Sequence, residues 1–438
     1  MQEALLHHIW KFRLFDMNQL STVDGETLEI IHPGKHNSDS GPDFFDSRIK
    51  IGGTLWAGNV ELHIKTKDWQ KHNHQNDGAY DNVILHVVYD NDAGLKSNSQ
   101  IPILELKSHI SQSILKTYDT LMLNQNKIPC SASISGVDDF TFSNWLDRLL
   151  IERLEHKTKS IQAMLEQNKN NWEETFYVHL ARNFGFKINA LPFEMLARSL
   201  PLQHLAKHKS ELFQIEALLF GQAGLLQSEF TDEYPQRLRK EYDFLKSKFG
   251  LQPMDTHLWK FMRLRPVNFP TIRIAQFARL VVNSSHLFSK LLEIKNAKQA
   301  FELFDVEAGE YWNTHFMFDK VSEKAENGEA LLPFLNSGID SKKHLGKTSI
   351  ENILINTVIP FLFYYGKQKA ISKIQNRALE LLENISAEKN NIIDKWTALS
   401  VKCENAYQSQ ALIQLYNFYC SEKKCLFCAV GNKILRPQ

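Results

Sequence analysis

The feature that most limits what this chain can become is a glycine pair, Gly52-Gly53, inside the stretch GPDFFDSRIKIGGTLWAGNVELHIK at 41–65. Adjacent glycines tolerate positive φ, so between two strand-forming runs, 44–51 and 54–65, they predict a tight hairpin turn. Along the second run side chains alternate between faces. Trp56, Gly58, Val60, Leu62 and Ile64 fall on one side, Glu61, His63 and Lys65 on the other. A carboxylate, an imidazole and an amine on one face are costly to bury unless they pair, bind a metal or line a wet cleft. The plain alternative is a half-exposed strand whose polar face meets water. Asp43 opens the first strand, and the hairpin brings it near Glu61. Two neighbouring carboxylates suit Mg²⁺, which prefers oxygen ligands. Beside such an ion, His63 or Lys65 would orient water or stabilise charge on a phosphate.

The residues around the hairpin predict a sheet with a helix against it. Leu5, Leu6, Ile9, Trp10 and Phe12 recur at helical spacing, Thr27 to His32 reads as a strand stopped by Pro33-Gly34, and 35–43 reads as a polar loop. The run VILHVVY within 81–90 is apolar on both faces, which predicts a central strand with His86 as a hydrogen-bonded core histidine; 101–107 is a further strand. Between 65 and 81 lies a polar loop dense in histidine. His72 and His74, with Asp77 or His86, make a candidate zinc site for a hydrolase, the alternative being loop histidines bonded to water or backbone.

From Ser143 onward the period becomes helical, as in Trp145, Leu149, Leu150 and Leu154. The class predicted is therefore α+β: an amino-terminal mixed β-sheet domain with flanking helices over 1–135, and a large all-α domain over 136–400. A cysteine-rich tail, 401–438, is expected to pack on the helical domain. Within the helical part, Trp259 to Arg273 interleaves cations with aromatics between two prolines. Arg263, Arg265 and Arg273 would there grip phosphates of DNA or RNA, or else pair with carboxylates while Trp259 fills a core. With 51 basic against 50 acidic residues the chain has no polyelectrolyte character, so any nucleic-acid surface must be local. In the tail, Cys420, Cys425 and Cys428 converge on one metal with Cys403 as fourth ligand, a soft set suited to Zn²⁺ or an iron–sulfur cluster. The amino terminus lacks the pattern of a secretory signal, and the most apolar run, 350–365, is short for a membrane span and carries Glu351 and Pro360. A cytoplasmic protein without a membrane partner is expected.

Pro42-Asp43 followed by Glu61-Leu62-His63 on the next strand resembles the active-site arrangement of the PD-(D/E)XK nuclease superfamily. The resemblance implies a helix preceding a mixed sheet, Mg²⁺ held by Asp43 and Glu61, an acid such as Glu3 completing the metal site, and hydrolysis of phosphodiester bonds. The superfamily's lysine position is occupied by His63, with Lys65 one pleat further on. A non-catalytic scaffold that binds nucleic acid or protein is the competing class. Over nearly its full length, in segments such as NSDSGPDF, GNVELHIKTKDW and YCSEKKCLFCAVG, the chain also resembles a family of bacterial proteins known only as a domain of unknown function. That resemblance implies no activity.

Overall fold

The computed structural model describes residues 1–92, 101–284, 286–319 and 342–436. Gly52 and Gly53 have φ of 53° and 90°, the paired positive values of a type I′ turn, and they join β3 (Phe44–Ile51) to β4 (Thr54–Lys65) with Ile51 opposite Thr54. β1 (Leu28–His32) pairs antiparallel with the outer edge of β3. The loop expected at 35–43 contributes a two-residue strand, β2 (Lys35–His36), also antiparallel to β3. β5 (Val83–Asp90) and β6 (Ile103–Glu105) then add in parallel, giving the order β1-β3-β4-β5-β6.

The switch from antiparallel to parallel at β4 has a consequence. Parallel neighbours cannot be joined by a tight turn, so the chain must cross over the sheet. The crossover between β4 and β5 is the histidine-dense segment, which folds as α2 (Asp68–Lys71) and two 3-10 turns, His74–Asn76 and Gly78–Tyr80. α1 (Glu3–Phe12) packs on β4, burying Leu5, Leu6, Ile9 and Trp10, while Phe12 stays exposed. The Trp10 indole N–H donates to the Pro33 carbonyl at 2.9 Å, which fixes the helix against the loop leading to β2.

The chain divides into two compact units: Met1–Asp147 together with Ile413–Gln438, and Arg148–Leu412. Of the tail read from sequence as packing on the helical domain, 401–412 falls in the helical unit, whereas 413–438 groups with the sheet. The reason is local. The final helix, Ala429–Leu435, buries Val430 and Leu435 and packs on α3 (Gln112–Leu123) and the turn Ile134–Gly136, with Lys433 Nζ 3.1 Å from an Asp138 carboxylate oxygen.

The second unit is built of helix pairs, among them Leu212–Gln222 against Glu233–Phe249 and Ile359–Gln368 against Ser372–Glu383. A Cβ on Gly221 would lie 2.0 Å from the Tyr242 ring, so the glycine there serves close helix packing. Among the described residues no helix is long and apolar enough to cross a membrane.

Candidate metal centre

The site begins with an irregularity. At the turn, β3 and β4 pair in the register Ile51–Thr54, but between Ser47 and Phe44 the register shifts, so that Ser47 faces Gly58 while Phe44 faces Val60. Two residues of β3, Phe45 and Asp46, oppose Asn59 alone, and Asp46 has φ 57°, as in a β-bulge. The shift sets Asp43 opposite Glu61; without it, Asp43 would oppose Leu62. Directly opposed residues of an antiparallel pair share a face. The two acids then lock together: the Asp43 amide donates to Glu61 Oε2 at 3.0 Å, and the Leu62 amide donates to Asp43 Oδ2 at 2.9 Å.

Imidazoles surround this pair. His63 is buried on β4, with Nδ1 2.9 Å from His86 Nε2 on β5 and Nε2 3.1 Å from His72 Nδ1 on the crossover. Glu61 Oε1 lies 3.6 Å from His63 Nε2 and 3.4 Å from His74 Nε2. Tyr80 stacks on the His74 ring at 3.9 Å, and Trp69 meets His63, His74 and His86 edge-on or tilted. Among the described residues, His63, His72 and His74 form a group whose ligand nitrogens all lie within 4.8 Å of one another.

Two further residues come from elsewhere, and of these only His7 had no place here in the sequence reading. His7 on α1 brings Nε2 to 3.3 Å from Asp43 Oδ2, and His36 on β2 packs against His7 and Phe44. Glu3, four residues before His7 and so on the same helix face, interacts electrostatically with His7, Asp43 and His72. That spacing was the one available signal for His7.

The electrostatics favour neutral imidazoles and disfavour a free carboxylate. Burial, then the neighbouring His86, His72 and His74, pushes His63 down to about 3; burial and His74 push His86 down to about 4. Burial lowers His74 as well, followed by His72. Burial and then Asp43 push Glu61 up to about 8. A neutral imidazole offers one donor and one acceptor, and it ligates metals in that state. Yet the buried Nε2 atoms of His7 and His74 have no hydrogen-bond partner, although each lies within 3.4 Å of a carboxylate oxygen. Orphaned nitrogens facing acid oxygens are what a shared cation would satisfy. Nitrogen donors suit zinc better than magnesium, and His86 stands behind His63 where a second partner would orient the ring of a metal ligand.

The other sequence candidates fall differently. Lys65 is exposed at the end of β4, where its backbone amide donates to Asp68 Oδ2. Arg273, expected to hold phosphate, is instead a strut inside the helical unit. It is 6% exposed, and its guanidinium donates to Gln276 at 3.1 Å, Asn268 at 2.6 Å and Ser349 at 3.0 Å, lying 4.6 Å over the Phe186 ring. Trp259 likewise fills core, donating to the Ala223 carbonyl. Arg263 and Arg265 are exposed. Replacing Arg273 with alanine should therefore cost roughly 3 kcal/mol of stability in denaturant unfolding, whereas Arg263→Ala and Arg265→Ala should each stay within about 0.5 kcal/mol. In the tail, Cys420, Cys425 and Cys428 are joined by Cys130, and Cys403 lies in the second unit, where burial and Glu388 raise its pKa.

A family model described as "Protein of unknown function (DUF2851)" matches residues 3–391, and the chain belongs to that family. No curated protein and no solved structure matches it.

Proposed function

We propose that this member of the DUF2851 family is a metal-dependent hydrolase of phosphodiester bonds in DNA or RNA. A transition metal, zinc above all, would be held by His63, His72, His74 and Glu61. The observation that carries this reading is the pair of buried, unpartnered imidazole nitrogens, each beside an oxygen of the interlocked Asp43–Glu61 pair. Magnesium, expected from the two acids alone, is the weaker choice once imidazoles outnumber carboxylates around the site. Support for a phosphodiester substrate comes from the order of elements: a helix, an antiparallel hairpin with one acid on each strand, and a parallel strand beside the second, as the PD-(D/E)XK resemblance implies.

When bound, the metal would acidify a water molecule and neutralise phosphate charge. The chain's own groups do the remainder. His86 fixes the His63 ring, and the Leu62 amide fixes Asp43, which in turn holds His7 at the mouth of the pair. As the water oxygen bonds to phosphorus and the phosphorus–oxygen bond to the leaving group breaks, His7 takes the proton that the water gives up, and the departing oxygen is protonated from solvent water. Protein stripped with a chelator and refilled with zinc, manganese or magnesium tests this on labelled single-stranded DNA, duplex DNA and RNA. Zinc or manganese should restore cleavage and stabilise the fold, by about 2.7 kcal/mol at ~100 times the dissociation constant. Stabilisation without cleavage of any substrate would leave a metal centre and remove the hydrolase; neither effect would remove both.

A further inference from the structure

The strut made by Arg273 leaves a positive charge unanswered. Its guanidinium donates to the side chains of Gln276, Asn268 and Ser349, all of them neutral, and its buried Nε has no hydrogen-bond partner. Burial lowers its pKa to about 10 and no acid acts against that, so among the described residues the cation has no carboxylate beside it. A buried charge is costly unless it is paired. Position in the fold gives no relief. Arg273 stands in the first turn of the helix Pro270–Asn283, where the helix dipole is already positive. The negative end of the helix Trp172–Phe184 comes to the same place, so the two partial charges oppose each other and the guanidinium is left over.

That guanidinium lines a cavity of about 340 Å³ inside the helical unit, the size of a small-molecule site. Its polar wall holds Arg273, Lys187, Thr348, Ser349 and Asn352: two cations, two hydroxyls and an amide, with no acid in the lining. Ser349 links the buried cation to the space. Its oxygen accepts from Arg273 Nη2 at 3.0 Å, which leaves the hydroxyl proton to be given to a ligand oxygen and polarises it for that purpose. The guanidinium lies 4.6 Å over the ring of Phe186, whose φ of 50° is in the left-handed region that bulky residues seldom adopt. Backbone held in such a conformation costs free energy and gathers at ligand clamps.

Charge and shape select the ligand. Two cations without an acid match a dianion, and donors arriving from three separate parts of the chain match the several oxygens of a phosphate group. At 6% exposure Arg273 lies too deep for a nucleic-acid backbone, so the anion must be small enough to enter. Phe184 and Phe193 form the apolar side of the cavity, which gives room to a ring attached to that phosphate. We infer that the cavity binds a small phosphomonoester with an aromatic body, such as a nucleoside monophosphate, its phosphate taken by Ser349, Thr348, Asn352 and Lys187 against the charge of Arg273. The cavity shares no residue with the metal centre, so its ligand is independent of the hydrolase reading.

Calorimetric titration of the full chain in phosphate-free chloride buffer tests this with inorganic phosphate, adenosine monophosphate, adenosine and malonate. Adenosine monophosphate should bind more tightly than inorganic phosphate, and adenosine should not bind. Ser349→Ala should weaken adenosine monophosphate roughly tenfold, the worth of one hydrogen bond to a charged group. Ser349→Asp sets a carboxylate beside the guanidinium in place of the ligand. It should weaken binding at least ~100-fold by like-charge repulsion, and without ligand it should melt at a higher temperature than the wild type. No binding of adenosine monophosphate to the wild type, or an affinity unchanged in Ser349→Ala, would overturn the site. Adenosine binding as tightly as its monophosphate, or malonate more tightly than phosphate, would overturn the ligand class. Wild type and Ser349→Ala decide these points by themselves, whether or not Ser349→Asp folds.

Discussion

Glu61→Gln is expected to move two properties in opposite directions: metal-free protein becomes more stable while zinc affinity falls more than ~100-fold, beyond the 10–100-fold that loss of an outer partner costs. The first effect follows from the carboxyl's position. Its pKa is raised from 4.5 to about 8, chiefly by burial and then by Asp43. Between those values the folded state binds the extra proton, so the stability of the metal-free protein falls as pH rises from 4.5 towards 8. At pH 7 the carboxyl thus costs on the order of 3 kcal/mol, which a neutral amide of the same shape removes. The second effect follows from losing the anionic ligand. Denaturant unfolding across that pH range, with and without zinc, measures both. A variant that is less stable without metal at pH 7, or that binds zinc like the wild type, would show that Glu61 is held for structure alone.

Deleting Phe45 and Asp46 together is expected to abolish the site while leaving the hairpin in place. Without these two residues, β3 pairs with β4 in the register of the turn throughout. Asp43 then opposes Val60, and its carboxylate no longer faces Glu61. The side chain of Phe44, fully buried, must repack across from Asn59, at a cost of about 2–4 kcal/mol on the scale of core rearrangements. Zinc-induced stabilisation should disappear, and the circular dichroism of the sheet should persist. Retained zinc binding would mean that Asp43 and the bulge contribute nothing to the centre.

The hairpin was legible because its signals are local: two glycines of positive φ, and alternation over a dozen residues. The neighbourhood of Asp43 and Glu61 could be read from the same pattern, but the bulge that makes them directly opposed could not, since Phe45-Asp46 has no composition that marks an extra residue. The histidines illustrate the limit of motif reading. His72 and His74 stand out in a polar loop, whereas their meeting with His63 depends on a parallel crossover, and that topology is set by which strands β5 joins. Cys130 lacked any local signal, being 290 positions from Cys420 along the chain. Arg273 misled for a physical reason: a cation beside aromatics looks the same whether it stacks on a base or on Phe186.

That the sheet-bearing unit is assembled from 1–147 and 413–438 sets an order of events during biosynthesis. The ribosome must make the whole of 148–412 before the last helix can reach α3, a wait on the order of tens of seconds at ~5–20 residues per second. Through that interval α3 and the turn Ile134–Gly136 leave uncovered the apolar surface that Val430 and Leu435 later close. Maturation of the unit is thereby postponed until residues 413–436 have been made.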